Sequence, residues 1–205
     1  MLDTPLRLSC YEGLTVFLLA LASASRSRLS GERLLGSMLL GLVVGLAWPI
    51  AREVLLGGTC QAVFSSRLLL SALFLGALLG ARWPEINLFS LERLAPYLDL
   101  LALSSCSSFG LICLWPSLEP PAGLFLALFL ALWPQFLTDL ALGDSARFVR
   151  EVSPIFRAFF GTVLGLSVVY LGPWLGLKAN FLPPDLLMML LGLGVPLLLN
   201  RLLKN

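Results

Sequence analysis

Apolar residues in this chain fall into long continuous runs, with none of the strict polar/apolar alternation that marks a membrane β-barrel. Seven runs stand out, at about 9–25, 34–56, 65–81, 94–114, 122–142, 155–172 and 183–203. Each approaches the roughly 20 residues that a helix needs to cross a hydrocarbon layer of ~30 Å. Helices satisfy their backbone groups internally, so runs of Leu, Ala, Val and Phe predict seven membrane-spanning helices. Between the runs stand short breaks. Arg82-Trp-Pro-Glu-Ile-Asn87 predicts a turn after the third span, Pro120-Pro121 separates the fourth from the fifth, Gly143-Asp-Ser-Ala146 the fifth from the sixth, and Pro183-Pro184-Asp185 opens the seventh. The first run lacks a basic leader and a cleavage site, which predicts a permanent span. Residues 1–205 thus read as one transmembrane domain with no soluble module.

The pattern is also written twice, about 86 residues apart. Phe74-Leu-Gly76-Ala-Leu-Leu79-Gly80 recurs as Phe159-Phe-Gly161-Thr-Val-Leu164-Gly165, and Glu53-Val-Leu-Leu-Gly57-Gly58 recurs as Asp139-Leu-Ala-Leu-Gly143-Asp144. Trp48-Pro49 and Trp133-Pro134 precede those acids, and Glu12 and Asp99 open the two copies. Three spans per copy turn the second copy upside down in the membrane. The expected fold is all-α: two inverted three-helix repeats, about 8–83 and 92–172, plus a seventh helix at about 183–203. Such repeats frame an ion or substrate path near the midplane.

Composition strengthens the membrane reading. The chain is 58% apolar and 13% charged, has no histidine, and has a mean hydropathy of +0.92, too apolar for an ordinary soluble domain. With the N-terminus outside, Arg26, Arg28, Arg33, Arg82, Arg93, Arg147, Arg150, Arg201 and Lys204 are cytoplasmic against Arg7, Arg67 and Lys178 outside. These charges are explained as membrane anchors, and form no stripe suited to nucleic acid. Cys10, Cys60, Cys106 and Cys113 have no metal-ligand spacing and read as small apolar fillers. With no histidine and no nucleophile motif, nothing points to an enzyme or a chemical cofactor.

Gly76-xxx-Gly80 and Gly161-xxx-Gly165 suit close helix packing within the subunit, with contact between subunits as the alternative. The second and fifth spans each hold a proline, Pro49 and Pro134, which predicts a kink or partial unwinding that exposes carbonyls. One turn beyond stand Glu53, beside Arg52, and Asp139, beside Thr138. Ionisable groups within spans are costly and face a polar interior, unless Glu12 and Glu53 sit among the headgroups. Two acids near each mouth attract cations and repel anions. Ser104-Ser-Cys-Ser-Ser108 spans more than a helical turn, for close packing or for lining a wet path.

Leu40-Gly41, a helix break, Arg52-Glu53 and Leu55-Leu56-Gly57 resemble the second helix of the prokaryotic trimeric intracellular cation (TRIC) channels, where a triple-glycine break precedes an Arg-Asp pair. Tyr97-Leu98-Asp99 resembles the opening of that family's fourth helix, and the resemblance runs over about residues 8–203. It implies a homotrimer of monovalent cation channels among membrane lipids. Each subunit would hold a potassium path framed by its first, second, fourth and fifth helices. Glu12, Arg52, Glu53, Asp99, Thr138 and Asp139 would lie along that path, with Trp48, Pro49, Trp133 and Pro134 at its breaks. The chain departs from the family in three places: Ala47-Trp48-Pro49 and Trp133-Pro134-Gln135 replace the glycine triplets, and Thr138 replaces an arginine. If both tryptophans point inward they narrow or close the path. The short loops suit a bacterial inner membrane, N-terminus outside and C-terminus cytoplasmic. The alternatives are a transporter of small zwitterions that uses Arg52-Glu53, and a non-conducting structural or regulatory protein plugged by its tryptophans.

Overall fold

The computed structural model of the chain describes residues 4–86, 91–114 and 120–143. Within them lie α1 (Thr4–Leu29), α2 (Leu34–Leu55), a short α3 (Cys60–Ser65), α4 (Arg67–Ile86), α5 (Leu91–Leu114) and α6 (Pro120–Ala141), with no strand among the described residues. The first five expected spans are α1, α2, α4, α5 and α6. The extra turn α3 is absent from the sequence reading. The sixth and seventh spans, Gly161-xxx-Gly165 and Pro183-Pro184-Asp185 lie outside the described residues.

Packing separates two central helices from their neighbours. Every residue from Leu18 to Ser27 of α1 and from Ala102 to Gly110 of α5 is buried. At 3.6 residues per turn such runs cover all faces of a helix, so both are enclosed by protein on every side. They carry small and hydroxyl side chains inside: Thr15, Ser23, Ser25 and Ser27 on α1, and Ser104, Ser105, Ser107 and Ser108 on α5. The surrounding helices turn large apolar side chains outward. Leu35, Leu39 and Val43 form a stripe on α2, Phe74 and Leu75 stand on α4, and Phe125 of α6 is 70% exposed. Polar groups inside and bulky apolar groups outside reverse the distribution of a water-soluble domain and suit an apolar solvent.

By length and composition, α2 alone among the described residues is apolar enough to span a bilayer, with Phe125–Ala141 a shorter apolar stretch. The other long helices carry ionisable residues, so their suitability for lipid is settled by where those charges go.

Backbone approach holds the bundle together. A Cβ on Gly76 or Gly80 would stand 2.5 Å from the carbonyl oxygen of Phe17 or Leu21, and one on Gly41 would stand 2.8 Å from that of Ala20. The α4 glycines therefore serve packing within the chain, against α1, and Gly41 brings α2 to the same helix. Several hydroxyls on the central helices bond their own backbone: Ser23 and Ser25 each donate to a carbonyl one turn back at 2.7 Å, and Ser107 donates to Ser104 O at 3.1 Å. This removes the cost of a bare hydroxyl in an apolar interior.

Helix ends repeat between the copies. Gly57 (φ 69°) and Gly143 (φ 71°) both adopt the left-handed conformation four residues past the acids Glu53 and Asp139. The Gly57 N–H bonds to Val54 O and the Gly58 N–H to Glu53 O, a Schellman stop, and the Gly143 N–H makes the matching bond to Leu140 O.

Two sequence expectations need correction. The predicted turn at Arg82–Asn87 is mostly helix, since α4 continues to Ile86. A proline removes only its own donor, and burial of Gly80 and Ala81 holds the turn before it. Neither Pro49 nor Pro134 unwinds its helix: α2 and α6 stay helical through them.

Replacing Gly80 by Val should lower stability by about 1–3 kcal/mol, because the new side chain meets a backbone carbonyl that cannot swing aside. Leu35→Ala, on the outer face of α2, should change it by under about 0.5 kcal/mol. Thermal midpoints of the purified protein in one detergent check both; equal shifts would refute the close α1–α4 contact.

Candidate functional site

Helices α1, α2, α5 and α6 enclose an interior with an arginine near each end. Arg52, in the last turn of α2, reaches across to α1, where its Nη1 lies 2.9 Å from Glu12 Oε1, while its Nη2 donates to Glu53 Oε1 at 2.5 Å. Its guanidinium also lies 5.6 Å from the Trp48 ring centroid and 5.7 Å from that of Phe109 on α5. Carboxylates take its two terminal nitrogens and aromatic faces lie beside it, while its Nε is buried without a hydrogen-bond partner among the described residues.

Arg26, in the last turn of α1, repeats the arrangement at the other end. Its Nη2 donates to Asp139 Oδ1 on α6 at 2.5 Å, and its Nε lies 3.6 Å from Asp99 Oδ2 on α5. The Asp139 side chain is only 2% exposed and that of Arg26 8%. Glu12 and Arg26 are fourteen positions apart in one helix, which sets the clusters about 21 Å apart along α1. That separation fits inside a hydrocarbon layer of ~30 Å.

Apolar bulk fills the space between them. Trp48 is 0% exposed and packs against Phe109, with centroids 5.5 Å apart; Tyr11 meets Phe109 edge-on at 5.0 Å. Leu18, Leu103, Cys106 and Leu130 complete this cluster from α1, α5 and α6. Beside the Arg26 cluster remains a cavity of about 20 Å³, room for a single water, bordered by Arg26, Asp99, Pro134, Gln135 and Thr138. Gln135 Oε1 and Trp48 Nε1 are buried with no hydrogen-bond partner among the described residues.

The structure thus brings Glu12, Arg52 and Glu53 into one cluster and Asp99 and Asp139 into the other, with Thr138 and Pro134 on the adjoining cavity. The two tryptophans part company. Trp48 is in the enclosed interior, whereas Trp133 stacks on Phe129 and Phe136 of its own helix, both on the outward side of α6. Thr138 is buried and its hydroxyl donates to Pro134 O at 2.9 Å, which spends its polarity on the backbone. Ser104 to Ser108 are all enclosed by protein, and Ser105 bonds Thr15 of α1 at 2.7 Å.

Arg26 requires a correction. By charge alone it reads as a headgroup anchor, but it is buried and holds two acids from the second copy. Without it, eight cytoplasmic charges still face three outside, so the orientation bias survives. The available signal was its setting in Ser23-Ala-Ser25-Arg26-Ser27, where small side chains let other helices close around a long one. Tyr11 and Phe109 were also missed, because one aromatic in an apolar run looks like any other.

A helical bundle with charge pairs held inside and an apolar exterior defines the integral-membrane class. A solved structure described as a prokaryotic TRIC channel in 0.5 M KCl has the same fold: the TM-score is 0.77 at 13% identity, over 98% of this chain and 100% of that one. The chain therefore has a TRIC-channel fold. No protein-family model and no curated protein matches it.

Trp48→Ala should cost about 3–5 kcal/mol, the penalty for an emptied aromatic site. Trp133→Ala should cost clearly less, since its neighbours lie on its own helix. Thermal midpoints in detergent test the contrast, and equal losses would contradict the different placement of the two rings.

Proposed function

We propose that the protein is an integral membrane channel for monovalent cations, with potassium as the ion and one path per subunit of a homotrimer. The observation that carries this reading is the pair of carboxylate–arginine clusters at opposite ends of the interior enclosed by α1, α2, α5 and α6. Likeness in fold to a prokaryotic TRIC channel supports it. The proposed architecture is a single domain of seven helices: inverted repeats over about 8–83 and 92–172, then a seventh helix over about 183–203. The N-terminus lies outside and the C-terminus in the cytoplasm of a bacterial inner membrane, with lipid around the outer apolar faces.

In this mechanism Glu12 and Glu53 draw hydrated cations to one end, and Asp99 and Asp139 serve the other. An arginine at each end pairs with the acids and holds them apart. Anions meet net negative charge on the acids and an apolar middle. Between the ends, the Tyr11–Trp48–Phe109 cluster is the closure, and conduction requires Trp48 to leave the interior or α2 to shift at Pro49. The path as packed is shut.

The burial of Trp48 also favours a second reading, a scaffold of the same fold permanently closed by this ring. Potassium efflux from proteoliposomes separates the two. A channel gives efflux in the unmodified protein, and Glu53→Gln/Asp139→Asn reduces it by about tenfold or more as the attracting charge is lost. A plugged scaffold gives none until Trp48→Gly opens the interior, while Trp133→Gly stays silent. Absence of efflux in all of these variants would defeat the cation-channel proposal.

A further inference from the structure

The two copies differ in the residue that precedes the acid near the end of the proline-containing helix. In the first, Arg52 precedes Glu53 on the same helix; in the second, the matching position before Asp139 is Thr138. The missing cation is delivered from elsewhere. Arg26 comes from the last turn of α1, in the first copy, and pairs with Asp139 and Asp99 of the second. It also borders the cavity that Thr138 and Gln135 line. Each end of the interior therefore has two acids and one arginine among the described residues, although the sequence supplies an adjacent Arg–acid pair only once.

We propose that Arg26 determines ion selectivity at its end of the path, acting as the counter-charge that limits how strongly Asp99 and Asp139 favour cations. This rests on the channel reading above. Three observations support it. Arg26 is buried, so its charge is little screened by solvent. It is shared between acids on two different helices, so its removal raises the negative charge of the cluster without removing either carboxylate. It borders a cavity with room for a single water, so the altered charge acts on space that water can enter. A guanidinium serving only to fasten helices would need none of this balance, and its loss would be measured in stability alone.

The test compares the unmodified chain with Arg26→Lys, Arg26→Gln and Arg26→Gln/Asp139→Asn in planar bilayers under a potassium chloride gradient. The reversal potential reports the preference for potassium over chloride. Arg26→Gln should raise that preference by about fivefold, with only a weak dependence on salt concentration because the charge is buried. Arg26→Lys keeps the charge and should stay with the unmodified protein. Arg26→Gln/Asp139→Asn has lost the ion pair but restored the local charge sum, and should return to near the original preference. Arg26→Lys changes the packing of the head group while keeping its charge, so this variant separates charge from structure, and thermal midpoints of all four proteins in one detergent report packing directly. A conducting parent whose preference is the same in Arg26→Gln overturns the selectivity role and leaves the channel reading standing. Currents absent from the parent and from every variant overturn the channel reading and this role with it.

Discussion

A guanidinium enclosed by protein and surrounded by an apolar solvent must find carboxylates, and the described part of this molecule is arranged around that requirement twice. Breaking a buried pair costs about 3–5 kcal/mol, far more than a surface ion pair is worth. Arg52 ties α2 to α1 through Glu12, and Arg26 ties α1 to α5 and α6 through Asp99 and Asp139. These links fix the register of α1 against its neighbours at both ends. The Tyr11–Phe109–Trp48 contacts and the serine-rich stretch of α5 then fall into place between them.

The same constraint sorts the remaining residues. Helices that must enclose polar groups need close backbones, hence Gly41, Gly76 and Gly80 set against the carbonyls of α1. Helices that face the apolar side carry bulk instead, hence the outward Leu and Phe of α2, α4 and α6. Since lipid offers no hydrophobic gain for burying leucine, small-residue packing and interior polarity supply specificity. Function would use the same interior, with charge at the ends and a removable ring in the middle. Trp48, packed on Phe109 beneath Arg52, fills the middle of that interior.

Much of this was legible in sequence, and for a definite reason. The length and apolarity of the runs, the turn residues between them and the 86-residue recurrence are local properties of the chain, and solvent and helix geometry translate them directly into spans. The helices over the first five runs, the packing role of Gly76 and Gly80, and the grouping of Glu12 with Arg52 and Glu53 follow that kind of rule. What the sequence could not decide was which way a side chain points and what it meets across a hundred residues. Trp48 and Trp133 occupy matching places in the two copies, yet one is enclosed and the other lies along the outside of its helix. Arg26 read as one more charge at a helix end until three-dimensional packing set it against Asp139, 113 residues away. Periodicity assigns an element, whereas the partner of a buried charge is chosen by the geometry of the whole bundle, and only the tertiary structure holds that information.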